Sequence, residues 1–292
     1  MKSRVHRNTI RNYLELGKIK IMIPVSLTGF TGFFIYKPGF SFSLLLVSLG
    51  ILLLGVSASV LNQIQEADPD SRMERTQNRP IPSQRIKPQQ ALIFLICNLM
   101  AGIILIYSAG NLTAVLIGLM AIVWYNGIYT YLKKITAFAV FPGAVTGALP
   151  PLIGWVAAGG GLWDKPIVFL EFLFFTGQIP HFWLLILKYG KEYEKAGLPS
   201  LTNILSRTQI RRLTFSWVVT AVTAALFLCY FQIIQTKIIV VILLAASAFL
   251  IWQFTGLLKI PGIKDNSRKY TVLLDSYYLL VLILLVSDRI FR

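Results

Sequence analysis

Residues 41–80 read SFSLLLVSLGILLLGVSASVLNQIQEADPDSRMERTQNRP, and the change of character partway along this stretch decides the fold. Residues 41–65 carry no charged side chain, a run long enough for the roughly 20 residues with which a helix crosses a bilayer. From Glu66 the chain turns abruptly polar, with Glu66, Asp68, Asp70 and Glu74 interleaved with Arg72, Arg75 and Arg79. A helix that ends in such a segment leaves the hydrocarbon there.

The same alternation continues in both directions. Of the 292 residues 55% are hydrophobic and only 14% charged, against about 25% charged in a soluble domain. Hydropathy and helix breakers place spans at 20–36, 41–65, 90–108, 112–131, 138–158, 166–187, 213–231, 238–257 and 271–288. No period-two alternation is present, and lipid requires backbones satisfied within each segment, so the spans are read as helices. The fold predicted is all-α: a polytopic membrane protein of nine transmembrane helices around a central cavity, one domain over 1–292. Residues 1–19 form a polar, basic tail, and no small-residue cleavage site follows the first apolar stretch, so that stretch is read as an uncleaved span. Gly143, Gly147, Pro150, Pro151 and Gly154 predict kinks and close helix contacts in the fifth span.

The net charge of +16 raises nucleic acid as a partner. That reading needs Lys and Arg gathered on a soluble face, whereas here they sit in short connectors between apolar runs. Taking alternate connectors as one side, all 28 Lys and Arg fall together except Lys37, Lys165, Lys237, Arg289 and Arg292. This bias excludes a nucleic-acid partner and predicts a cytoplasmic N-terminus and a C-terminus on the opposite side. Cys97 and Cys229 both lie in apolar runs and read as small core residues.

The twelve acids are the informative minority. Asn62 and Glu66 are four apart and share a helical face; Asp70 would continue the row, but Pro69 is expected to interrupt it. Asp68-Pro69 reads as an N-cap and first turn of a short second helix. A hard cation such as Mg²⁺ asks for one or two carboxylates plus phosphate oxygens, and Arg72, Arg75 and Arg79 offer charge-assisted contacts to the same phosphates. The bland alternative is a solvated loop whose acids pair with neighbouring arginines. A second polar cluster on the same side runs from Gln178 through His181 to Lys191, Glu192 and Glu194. Two acidic clusters on one face would clamp a metal diphosphate; an ordinary mixed-charge loop is the competing reading. His181 reads as a hydrogen-bonded core histidine or as a contact to a macrocycle or its iron. Lys133 and Lys134 either reach a diphosphate or anchor the fourth span. Asp275 and Glu171 are intramembrane acids that neighbouring polar groups can satisfy. A transporter would place ionisable groups near the bilayer midplane; the dense acids here sit at one interface, which favours an enzyme meeting a soluble diphosphate.

These residues carry a resemblance. The run from Asn62 to Pro82 resembles the first aspartate-rich signature of the UbiA superfamily of intramembrane prenyltransferases, in details most like the branch that farnesylates protohaem IX. Tyr129-Thr130 with Lys133-Lys134, the segment Gly147 to Trp155, and Pro180-His181-Phe182-Trp183 with Lys191-Glu192-Tyr193 agree with the same branch and follow in its order. The resemblance implies a Mg²⁺-dependent transferase of the inner membrane that moves a farnesyl group from farnesyl diphosphate to haem B, giving haem O. It implies that Asn62, Glu66, Asp68, Asp70 and Glu192 hold the metal and that Arg75, Arg79, Lys133, Lys134 and Lys191 neutralise the diphosphate. His181 would lie near the haem. Haem-handling or oxidase-assembly partners are not identified by it. In the ninth span Asp275 stands where that branch has an aromatic residue. A quinone precursor or another aromatic lipid is the alternative acceptor.

Overall fold

The computed structural model describes residues 2–259 and 267–292, with side chains from residue 9 onward. Among these the chain is helical and has no strand: α1 (Lys2–Leu16), α2 (Ile19–Tyr36), α3 (Phe42–Gln65), α4 (Ala67–Ser71), α5 (Pro88–Ala109), α6 (Leu112–Val123), α7 (Thr130–Leu132), α8 (Val140–Ala157), α9 (Lys165–Lys195), α10 (Arg207–Tyr230), α11 (Lys237–Phe254) and α12 (Ser267–Ile290). A π-helical turn, Trp124–Tyr129, joins α6 to α7, so that Leu112–Leu132 forms one span. Nine helices among the described residues are long and apolar enough to cross a bilayer. Ile104, Val241 and Ile283 are among the large apolar side chains that stay more than half exposed on them, as a lipid-facing belt requires. The chain is a multi-pass membrane protein.

Span positions match the hydropathy reading closely except at the aqueous ends. α9 continues to Lys195 and α10 starts at Arg207, because hydropathy marks where lipid ends and a helix need not end there. Part of the connector before α12, Lys264 included, lies outside the described residues. The N-terminal segment, expected to be a polar, basic tail, is helical: it forms α1. Its apolar side explains this, since Leu16 is fully buried with Val56, Val60, Ile86 and Ala91, and Tyr13 packs on them. Gln63 Nε2 donates to Leu16 O at 2.6 Å, and Arg85 grips Glu15 with two nitrogens, each 2.8 Å from a carboxylate oxygen.

The close contacts expected of α8 are present. It packs on α2, α6 and α9, and a methyl group on Gly154 would collide with the carbonyl oxygen of Gly29, as one on Gly32 would with that of Pro151. Lipid offers no hydrophobic drive between helices, so backbone-to-backbone approach of this kind replaces it.

Two outcomes follow. Gly32→Ala should force α2 off α8 and cost about 1–3 kcal/mol, read as a lower Tm in detergent, whereas Gly127→Ala, whose methyl would meet nothing nearer than 3.8 Å, should leave Tm near that of the parent. The Arg85 hydrogen bond holds the Glu15 carboxyl below its ordinary range. Its contribution to α1 docking is therefore present above the unfolded carboxyl value of about 4.3 and is lost as pH falls through the lower folded value. With both side chains over a third exposed, the effect is below about 1 kcal/mol. Protection of the α1 amides relative to their intrinsic exchange at each pH should fall on acidification, and Arg85→Ala should lower it in the same way at neutral pH.

Candidate active site

The last turn of α3 and the start of α4 build the site. Glu66 N–H donates to Asn62 O at 3.0 Å and Asp70 N–H to Glu66 O at 2.8 Å, so four-residue spacing survives the change from α3 to α4. Asn62, Glu66 and Asp70 consequently share one side and are only 2–3% exposed. The break falls at Glu66, whose φ of −111° and ψ of 13° leave the helical region. Pro69 does not interrupt the row: it sits in the first turn of α4, where a missing N–H costs no intrahelical bond. The capping position of α4 belongs to Glu66, which corrects the expectation for Asp68. Two residues from either neighbour on a helix, Asp68 points the other way; its side chain is 74% exposed and held by Arg72 at 2.7 Å. The structure does not bring Asp68 to the group.

Three cations from different parts of the chain meet this row. Arg79 Nη1 lies 2.5 Å from Asp70 Oδ2. The Lys133 ammonium stands against Glu66 Oε1, although no donor is aligned on that buried oxygen as a hydrogen bond. The π-helical turn prepares this approach. It ends with Thr130 N–H donating to Tyr125 O, five residues back, and Thr130 Oγ1 accepts from Asn62 Nδ2 at 3.2 Å. Such turns concentrate at functional positions.

The third cation is Lys18, which sequence reasoning passed over as one basic residue among several before the first span. It stands between α1 and α2 in a left-handed conformation, φ 47° and ψ 45°, and its Nζ donates to Asn62 Oδ1 at 3.2 Å. Burial, with Arg79 and Lys133 adding repulsion, pushes its ammonium down to about 7. The only signal in the sequence is Gly17-Lys18 standing at the end of an amphipathic stretch.

The second cluster docks on the first by another route. Glu192 Oε2 accepts from Arg75 N–H at 3.1 Å, the Arg75 guanidinium lies 5.1 Å over the Tyr189 ring, and Met73 packs with Ala196 and Leu198. Lys191 is exposed at the end of α9, and Lys134 is turned onto Tyr131, 5.6 Å from its ring. Neither joins the buried group. Among the described residues no three His, Cys, Asp or Glu side chains gather as a metal cage; Glu192 is not in one cluster with Glu66 and Asp70. The donor set nonetheless fits Mg²⁺ in company with phosphate: two buried carboxylates and an amide oxygen, one carboxylate oxygen without an aligned donor, and cations alongside for the phosphates. From this pole an aromatic wall runs inward, Lys133 lying 5.8 Å from the Tyr129 ring, Tyr129 6.2 Å from Phe182, and Phe182 against His181. His181 Nδ1 is 3.0 Å from Asp275 Oδ1.

Residues 25–281 match the model of the UbiA prenyltransferase family. The chain is 36% identical to a protoheme IX farnesyltransferase of Oleidesulfovibrio alaskensis, over 82% of this chain and 83% of that one. A protoheme IX farnesyltransferase of Trichodesmium erythraeum is 33% identical over 97% and 88%. Among solved structures, a digeranylgeranylglyceryl phosphate synthase superposes with a TM-score of 0.77 at 22% identity, covering 97% of this chain and 99% of that chain. An Archaeoglobus fulgidus UbiA homologue bound to GPP and Mg²⁺ superposes with a TM-score of 0.67 at 17% identity, covering 93% and 99%. Match length and identity together make this chain a member of the UbiA prenyltransferase family.

Proposed function

We propose that this protein transfers a farnesyl group from farnesyl diphosphate to a vinyl group of protohaem IX, giving haem O, with the whole chain acting as one domain. The observation that carries the reading is the buried row Asn62, Glu66 and Asp70 faced by Lys18, Arg79 and Lys133 at one end of the bundle. A site of alternating charge whose carboxylates are almost wholly out of water suits a metal-bound diphosphate, and the relatives named as protoheme IX farnesyltransferases support the acceptor. The charge bias of the connectors supports placing this end at the cytoplasmic face of an inner membrane.

Asn62, Glu66 and Asp70 would hold Mg²⁺, with Glu192 closing from α9; bound there, the ion neutralises charge that develops on the leaving group. Arg79 and Lys133, now paired with carboxylates, would turn to the phosphate oxygens, and Lys18 would add a third donor. The farnesyl C1–O bond breaks with its electron pair leaving on diphosphate. Tyr129 and Phe182 line the path of the allylic cation, whose charge their ring faces stabilise. The vinyl carbon forms the new C–C bond, water adds to the porphyrin-side cation, and a proton is released, leaving a hydroxyethylfarnesyl group. Arg75, Lys134 and Lys191 would attract the diphosphate at the mouth.

Incubating purified protein with farnesyl diphosphate, haem B and Mg²⁺ should yield haem O by mass; prenylation of a quinone precursor with none of haem would overturn the acceptor. Asp70→Asn should lower turnover by about 100-fold or more while the protein keeps its circular dichroism. Lys18→Met removes a charge-assisted bond of about 1.5–3 kcal/mol, so KM for farnesyl diphosphate should rise roughly tenfold or more.

A further inference from the structure

His181 and Asp275 come from α9 and α12, and their pairing has no part in the diphosphate chemistry above. Asp275 lies two turns into α12, about 12 Å along the axis at 1.5 Å per residue, yet its side chain is 56% exposed and that of His181 32%. A carboxylate at that depth is costly against hydrocarbon and faces the bundle interior or a polar cavity instead. One turn further in, the two helices are locked: the Tyr278 ring fills the place a methyl on Gly177 would take, its hydroxyl donates to Leu173 O at 3.4 Å, and Phe174 packs at 6.0 Å. Register between α9 and α12 is thereby fixed, and with it the approach of Asp275 to the imidazole.

An ionised carboxylate only accepts, so the proton of the neutral ring stands on Nδ1 and the lone pair on Nε2. Among the described residues no hydrogen-bond partner meets Nε2. An imidazole fixed in this way, with a carboxylate behind it, is how proteins present histidine to a metal. His181 is continuous, through Phe182 and Tyr129, with the diphosphate end.

We infer that Asp275 is a positioning residue that holds His181 with Nε2 presented to the iron of the porphyrin acceptor. The inference rests on haem as the acceptor. It gives the macrocycle one fixed point, on the side of α9 and α12, from which a vinyl edge reaches the aromatic wall.

The test is resonance Raman of ferrous haem B bound to the full-length protein without farnesyl diphosphate, alongside steady-state turnover. The parent should show an iron–imidazole stretching band that His181→Ala removes and added imidazole restores. Asp275→Leu should lower the frequency of that band, because the partner that makes the imidazole more basic is gone, and raise KM for haem about tenfold. Asp275→Asn keeps an acceptor and should fall between, which reads the same effect if the leucine variant does not fold. A parent that makes haem O but lacks a His181-dependent band, or an Asp275 variant with an unshifted band, overturns the inference and leaves the acceptor assignment standing. A parent that makes no haem O overturns that assignment and the inference with it.

Discussion

Two carboxylates, Glu66 and Asp70, are taken almost wholly out of water where a transmembrane helix meets its polar connector, Glu66 beside Lys133 from a distant part of the chain and Asp70 beside Arg79 from the same connector. Removing charge from water is expensive unless a partner follows it in. The surrounding structure can be understood as the means of delivering those partners. The π-helical turn brings Lys133, the α4 segment folds Arg79 back onto Asp70, and α1 docks so that Lys18 reaches Asn62. Breaking one pair strands a buried charge, which ties the first, second and fourth spans into one electrostatic unit.

This arrangement also suits exchange. A divalent ion with its phosphates brings a set of charges that can replace the lysine and arginine on the carboxylates and occupy those cations in turn. Under the proposed function, the interactions that hold this end together are those a metal-bound diphosphate would take over, and the same helices in the same places would serve both states. Backbone contact between α2 and α8 through Gly29, Gly32 and Gly154 lies toward the other end of both helices, and there it holds the bundle more tightly than ordinary side-chain packing in lipid would.

Most of this was legible in the sequence, for reasons that differ by level. Hydropathy located the nine spans because lipid demands long apolar runs, but it misjudged the ends of α9 and α10, where helices continue into water. Spacing put Asn62 and Glu66 on one face but expected Pro69 to cut Asp70 off, and it is the place of Pro69 in the first turn of α4 that keeps the row whole. Asp68 is two residues from either member of the row, which by helical spacing alone turns it to another side; only the resemblance had placed it with the metal. Lys18 was hidden among residues that all serve topology, and only the folding of α1 against Val56 and Val60 distinguishes it. Lys134 and Lys191 look equivalent to Lys133 on paper, but a turn of helix sends them to other surroundings.

The bond between the Arg75 amide and Glu192, with Met73 seated on Ala196 and Leu198, ties the connector after α3 to the overhanging end of α9. Separating the two would break the Arg75–Glu192 bond and bare Met73, Ala196 and Leu198 together, so the polar and the apolar contact at this end are made or lost as one.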